Sequence, residues 1–333
     1  MRKHPLVSFS LWLCLFLTAS LALSSCQKNI HRIRLERFQM NTLFQVVIYA
    51  SQEKEAKKWG EEALSLVENL EKRYSLHLSN SLLFTLNNDG KGTIDKDLLL
   101  VWQEVERLFA LSDGLFDPTV EPLMRLWGFY QEGTPRVPSS SEIEKTLSLV
   151  GFSAVKRDKS FVSLHGRRID LGGILKGYAL DVMAEYLKTK PLSGFLLNAG
   201  GNILVWGEKT DHTPWQIAIR HPRRPNEVLA LFSLHEGSVA TSGDYEQYFI
   251  ERGIRYHHIL NPKTGYPVSN GVISVTVVAP KGIESDGLST VMFLVGKEKG
   301  IPLADKMGIG VCYIMEDLSL WTNRFFPALS DKP

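Results

Sequence analysis

Three cysteines in 333 residues are too few for a disulfide framework. Cys14 lies in an apolar N-terminal run, Cys26 directly follows it, and Cys312 stands within Val311-Cys312-Tyr313-Ile314-Met315. The fold must therefore rest on its hydrophobic core. No Cys-x-x-Cys or His-Glu-x-x-His is present, which removes the familiar zinc sites. No Gly-x-Gly-x-x-Gly follows a strand and there is no Walker lysine loop, which removes the common nucleotide cradles. Charge of one sign is also lacking, with 38 Lys and Arg against 36 Asp and Glu. A general nucleic-acid binder carries a basic stripe, whereas the only concentration here is His31 to Arg37, so no nucleic-acid partner is expected. There is no internal repeat and no low-complexity tract. Beyond the N-terminal run, no apolar stretch is long enough to span a bilayer.

That N-terminal run carries information of its own. Arg2, Lys3 and His4 precede the apolar stretch Leu6 to Leu23, and Leu23-Ser24-Ser25-Cys26 supplies small residues before a cysteine. The pattern resembles the lipobox of bacterial lipoproteins. Cleavage before Cys26 makes that residue a diacylglycerol-bearing N-terminus. The alternative, an uncleaved anchor, has no need of small residues and a cysteine at its outer edge. The expected organisation is a signal peptide over 1–25, the lipidated Cys26 with a tether over 26–38, and one catalytic-size domain over 39–333. The expected location is exported and anchored through lipid to a bacterial membrane, with the His31 to Arg37 cluster beside anionic head groups.

Periodicity assigns most of the remaining elements. Alternation over Leu43 to Tyr49 predicts a strand, and apolar spacing over Lys54 to Tyr74 predicts a helix. A second helix fits Leu98 to Leu111, and Ser141 with Glu144 reads as a capping box opening a third. Val155 to Leu164 reads as a hairpin about Arg157-Asp158-Lys159, and Ile174 to Thr189 as a long amphipathic helix. Strands are expected at Gly194 to Leu197, Asn202 to Trp206, Trp215 to Arg220 and Val228 to Leu234. Two more follow at Tyr248 to Leu260, turning at Arg252-Gly253, and at Ile273 to Ala279. Helices at Ser285 to Leu294 and Lys297 to Met307 precede a closing strand at Val311 to Met315. Strands come in runs with helices between the runs, so the expected class is α+β with mixed or antiparallel sheets and flanking helices, not a doubly wound parallel sheet.

Five polar or glycine-containing clusters stand at strand ends and helix starts. Asp113-Gly114-Leu115-Phe116-Asp117-Pro118-Thr119 by itself is equally an Asp, Gly and Pro turn. In Asp170-Leu171-Gly172-Gly173-Ile174-Leu175-Lys176-Gly177 the glycines permit close backbone approach, and the N-H groups of the helix start can cradle an anion within reach of Lys176. Taken alone, that segment is also a capped helix start with a solvated lysine. Asn198 to Ile203 contains a Gly-Gly pair that on its own favours a hairpin turn. Thr241-Ser242-Gly243 leads through a strand pair to His257-His258, of which one at most reaches a given site because neighbours on a strand point oppositely. Asp286 and Thr290, four apart on a helix, share a face and form a hard-oxygen pair suited to Mg2+.

Taken in order, these motifs resemble the ApbE family of FAD:protein FMN transferases. The resemblance runs from about Met40 to the last strand. It implies a T-fold-like architecture with an active-site cleft between two lobes. FAD would be the substrate, cleaved at its pyrophosphate, with FMN attached through its phosphate to a Thr or Ser of an exported or membrane electron-transfer protein and AMP released. The resemblance assigns Mg2+ to Asp286, Thr290 and the backbone oxygen of Gly173. It assigns flavin-nucleotide contacts to Met40, His77, Leu115, Phe116, Asp117, Asp170, Lys176 and His258, with His258, Lys176 and Asp286 as the catalytic set. Two departures bear on ligand fit. Met40-Asn41-Thr42 stands where the family reads Met-Gly-Thr, and His77 where it commonly has tyrosine. Two other activities fit the same motifs: a Mg2+-dependent FAD pyrophosphatase using water, and a lipoprotein that binds FAD without chemistry.

Overall fold

A computed structural model describes residues 29–130 and 134–330. The signal run with Cys14 and Cys26 lies outside the described residues, and among those described no helix is long and apolar enough to cross a membrane. The chain opens with a hairpin, β1 (His31–Gln39) and β2 (Thr42–Ala50), followed by the long helix α1 (Glu53–Tyr74). Next come α2 (Leu82–Asp89), β3 (Lys91–Thr93), α3 (Lys96–Leu111), α4 (Glu121–Leu126) and α5 (Ser140–Leu147). Ser81 and Asp95 cap α2 and α3, accepting from Phe84 N and Leu98 N, the role short polar side chains take where the first N-H groups lack partners. Then follow β4 (Lys156–Asp158), β5 (Phe161–Ser163) and the 14-residue α6 (Leu175–Lys188).

The second half is richer in strands: β6 (Gly194–Ala199), β7 (Asn202–Gly207), β8 (Trp215–Arg220), β9 (Val228–Leu234), β10 (Gly237–Gly243), β11 (Tyr248–Glu251), β12 (Ile254–His257) and β13 (Val272–Ala279). It closes with α7 (Gly282–Val295), α8 (Lys297–Met307), β14 (Gly310–Met315), β15 (Leu320–Thr322) and β16 (Leu329–Ser330).

Eight strands form one sheet in the order β1-β2-β6-β7-β10-β13-β14-β15, and its neighbours pair antiparallel. The expected α+β class with antiparallel sheets and flanking helices is the observed one. One face carries α1 on β1 and β2, α6 on β6 and β7, and α7 on β10 and β13. Phe44, Val46, Ile48, Val67, Leu180, Met183, Phe195, Leu197 and Val291 are buried there. The other face is covered by the small sheet β16-β9-β8, through Val205, Trp215, Ile217, Phe232 and Ile314. Both faces of β13 are buried because helices lie on one side and a sheet on the other.

Several boundaries differ from the sequence reading. Residues 31–38, read as tether, make up most of β1, a strand paired with β2 along its length. The capping box belongs to Ser139 and Glu142, not to Ser141 and Glu144. Ser139 Oγ accepts from Glu142 N, and Glu142 answers on Ser139 N. The β4–β5 turn falls at Lys159-Ser160, with Lys159 at φ 52, so Arg157 and Asp158 belong to the strand. Helix α7 begins at Gly282, three residues before the predicted start, because Asp181 of α6 accepts from Gly282 N at 2.6 Å and Ile283 N at 2.9 Å. Asp286 is thereby released from any capping role. Cys312 is a free thiol buried in β14, and burial pushes its pKa up to about 12.

Candidate active site

The site is built where α6 crosses α7. Gly177 and Gly282 allow the two helices to touch backbone to backbone: a methyl on Gly177 would lie 2.1 Å from Gly282 O and 2.6 Å from Asp286 Cβ. This closeness lets Gly177 N donate to Asp286 Oδ2 at 2.8 Å. Lys176 Nζ approaches Asp286 Oδ1 at 3.9 Å and donates to Gly172 O at 3.2 Å. Asp286 is 5% exposed, so its charge is held in place by one N-H and one ammonium.

One turn along α7, Thr290 faces the same region. Its Oγ1 lies 3.2 Å from Ser242 Oγ, which is 2.8 Å from Ser289 Oγ, and Ser289 donates to Asp286 O at 2.8 Å. This hydroxyl ladder pins β10 to α7 and fixes the Thr290 rotamer. Gly173 stands opposite: a methyl there would sit 3.7 Å from Thr290 Oγ1 and 3.6 Å from Phe116 Cε2. Asp286, Thr290 and Gly173, widely spaced in sequence, are therefore brought together. Among the described residues no three His, Cys, Asp or Glu cluster in a way that could hold a metal. A carboxylate, a hydroxyl and a backbone carbonyl fit a hard cation that keeps other ligands, and suit zinc or copper poorly.

The turn ahead of α6 is set by Asp170, whose Oδ1 accepts from Gly172 N at 2.7 Å and whose Oδ2 accepts from Tyr130 OH at 2.7 Å. Burial, then Asp170, pushes the Tyr130 phenol above the ordinary tyrosine range, so it stays a donor. His77 meets the edge of Tyr130 with ring centroids 6.0 Å apart. Sequence reasoning missed Tyr130. Its nearest local signal, Trp127-Gly128, gives a turn with Gly128 at φ 76 but nothing that points to Asp170.

The Asp113–Thr119 loop is tied to this turn by Asp170 N donating to Pro118 O at 2.7 Å. Phe116 packs under Gly173, and Leu115 is half-buried beside it. Asp117 is satisfied within the fold. Its Oδ1 accepts from Thr119 N and Oγ1, and its Oδ2 accepts from Phe152 N at 3.0 Å. Its immediate work is to shape the loop.

Met40 lies in the β1–β2 turn at φ 46 with Asn41 at φ 63, and Met40 N donates to Glu71 Oε1 at 2.9 Å. Asparagine is the residue after glycine that best tolerates this left-handed backbone, so the Met40-Asn41-Thr42 turn keeps a glycine-like course. Gly200, at φ 60, packs on Thr42, placing the Gly200-Gly201 hairpin turn at the same end of the sheet.

His257 and His258 divide as strand geometry requires. His257 is buried and spent: Ile259 N donates to its Nδ1 at 3.3 Å, and its Nε2 donates to Val268 O at 3.0 Å. His258 is half-buried, follows β12 directly, and meets Phe129 with centroids 6.4 Å apart. Its Nδ1 lies 3.3 Å from Gln247 O. A carbonyl only accepts, so the proton sits on Nδ1 and Nε2 keeps a lone pair. Desolvation, then His257 and Lys176, push the His258 pKa down to about 4 despite the Gln247 carbonyl, leaving a neutral ring near neutral pH.

A profile of the ApbE family matches residues 40–313. A Haemophilus influenzae protein called FAD:protein FMN transferase is 32% identical over 311 residues, 89% of this chain and 90% of the relative. A Vibrio cholerae protein of the same name is 32% identical over 309 residues, 90% and 92% of the two chains. Among solved structures, the ApbE protein from Thermotoga maritima superposes with TM-score 0.81 at 34% identity, covering 88% of this chain and 97% of its own. The flavin transferase ApbE from Vibrio cholerae gives TM-score 0.81 at 29% identity, covering 89% and 98%.

Proposed function

Because this chain belongs to the ApbE family, we propose that it is a Mg2+-dependent FAD:protein FMN transferase acting outside the cytoplasm. FAD is cut at its pyrophosphate, FMN becomes esterified through its phosphate to a Ser or Thr hydroxyl of an exported or membrane electron-transfer protein, and AMP leaves. The observation that carries this reading is the buried Asp286, bonded to Gly177 N and facing Lys176, with Thr290 and the Gly173 turn beside it. Asp286, Thr290 and the Gly173 carbonyl would hold Mg2+. Once bound, that ion would neutralise charge on the pyrophosphate oxygens.

The remaining work falls to the protein's own groups. The Lys176 ammonium binds the phosphates, because the N-H groups of Leu175 and Gly177 at the start of α6 are already taken by Leu171 O and Asp286 Oδ2. Asp170, held by Tyr130 and Gly172 N, fixes the turn that leads into Lys176. His258 Nε2 takes the proton of the acceptor hydroxyl as its oxygen bonds to the flavin-side phosphorus, while the bond from that phosphorus to the AMP oxygen breaks. A base already neutral at working pH needs no prior deprotonation. Met40, His77, Leu115 and Phe116 line the nucleotide's path, and Asp117 shapes the loop that carries the last two. Lipid on Cys26 would hold the enzyme at a membrane.

The test uses protein beginning at Gln27, with FAD, Mg2+ and a candidate acceptor in one tube, following AMP release and in-gel flavin fluorescence. Labelled acceptor together with AMP supports the transferase. FMN and AMP without labelling under any acceptor would make it a pyrophosphatase, and FAD binding without AMP would make it a carrier.

A further inference from the structure

Asn202 opens β7 and is only 5% exposed, yet its amide Nδ2 has no hydrogen-bond partner. A buried donor left unmet costs about 1–3 kcal/mol, and folded interiors keep few of them. Strand register gives its direction. Ser238 pairs with Leu204 across β10 and β7, and Ser238 Oγ lies 2.8 Å from Ser285 Oγ of α7, so both residues face the helix layer. Asn202, two residues from Leu204, points to that layer as well. Ser242, on the same face of β10, touches Thr290.

Above β7 lies α6. Its last turn is marked by Lys188 Nζ, 5.9 Å from the Trp206 ring centre at the far end of the strand, so its first turn, with Lys176 and Gly177, lies toward the Asn202 end. An unmet amide donor thus sits beneath the N-terminus of a 14-residue helix, on the sheet face from which Ser242 meets Thr290 of α7.

We propose that Asn202 is a further substrate-binding residue whose Nδ2 donates to a phosphate-side oxygen of the dinucleotide held at the α6 N-terminus. This inference rests on the reading of the cleft as an FAD site. It is tested by titrating FAD with Mg2+ into the parent protein, Asn202→Ala and the isosteric Asn202→Asp, alongside thermal unfolding of each without ligand. Removal of a donor that bonds nothing in the free protein should leave the ligand-free melting temperature of Asn202→Ala unchanged or raised. The FAD dissociation constant should rise about 10- to 100-fold, the size of a lost hydrogen bond to a charged group. Asn202→Asp, which sets a carboxylate against the anion, should weaken binding at least as much, and it carries the comparison if the alanine variant does not fold. Parent-like FAD affinity in the variants overturns the inference, as does a lower melting temperature with unchanged affinity. A parent protein that fails to bind FAD with Mg2+ overturns the reading of the site itself.

Discussion

Gly177→Ala sets helix propensity against packing. In the interior of an exposed helix the change favours the helix by about 1 kcal/mol, so propensity alone expects a more stable protein. Here the new methyl would lie 2.1 Å from Gly282 O and 2.6 Å from Asp286 Cβ. The first of these is backbone, so no rotamer change relieves it, and α6 and α7 must separate by roughly 1 Å or more to reach ordinary contact distance. Overpacking of this kind costs about 1–3 kcal/mol. Loosening the Gly177 N to Asp286 bond adds about 1–3 kcal/mol for a buried donor. A net loss near 3 kcal/mol corresponds to a fall in melting temperature of roughly 6–12 °C for a chain of this size. Because the same movement shifts Asp286 and Thr290 together away from Gly173 and Lys176, flavin transfer at fixed Mg2+ should fall by about tenfold or more. Gly92→Ala serves as the control, since its methyl would meet only Leu86 Cδ1 at 3.6 Å. Calorimetry and the flavinylation assay decide the matter. A Gly177→Ala protein as stable and as active as its parent would refute the crossing geometry on which the site rests.

Asp286→Asn retains an oxygen for Gly177 N but loses the charge. The ligand-free protein should melt near the parent value while transfer falls by about a thousandfold, the equivalent of about 4 kcal/mol of lost charge stabilisation. Retained, Mg2+-dependent transfer would remove Asp286 from the metal set. His258 has a folded pKa of about 4 against 6.5 for the ordinary imidazole. The unfolded chain therefore binds the extra proton across that window, and stability should decline as pH falls from about 6.5 to about 4. NMR titration of the free protein should find this ring neutral at pH 6, and a midpoint near 6.5 would contradict the burial argument. Asp181 behaves in the opposite sense. Burial pushes its folded pKa up to about 6 from 3.8, against the pull of Gly282 N and Ile283 N. The native state then holds a proton the unfolded chain has lost, and stability falls as pH rises through that interval. Asp181→Asn should flatten this slope in urea midpoints measured between pH 4 and pH 7, and an unaltered slope would show that Asp181 is not its source.

Much of the fold was legible because its helices are amphipathic and its central strands continuous. The helix predicted over Lys54 to Tyr74 is α1, and that over Ile174 to Thr189 differs from α6 by one residue at each end. β1 was lost because the charges of Arg32, Arg34, Glu36 and Arg37 cover a thin alternation at Ile33 and Leu35, which is what a solvent-facing edge strand looks like. The α7 start was displaced because its cap, Asp181, comes from another helix. Asp286, Thr290 and the Gly173 turn could be singled out because each sits in a local motif. Tyr130 on Asp170, and the unmet amide of Asn202, arise only when distant segments meet. The Asn41 departure also finds its reason in the backbone, since φ 63 at that position needs a residue that tolerates left-handed geometry.

With lipid on Cys26, the antiparallel β1–β2 hairpin would set a stand-off height. If Cys26 is the lipidated residue, five residues carry the chain from it to His31, a span of at most roughly 17 Å when fully extended. β1 then runs nine residues before the Met40 turn, about 30 Å at strand rise, and the Gly200 turn and the opening of α6 lie at that far end. The membrane attachment and the chemistry would therefore occupy opposite ends of the same strand. An acceptor embedded in the same membrane would have to raise its hydroxyl by a few tens of ångströms, on a stalk or a mobile segment, to be modified. A longer linker after Cys26 should widen the range of acceptor heights the enzyme can serve.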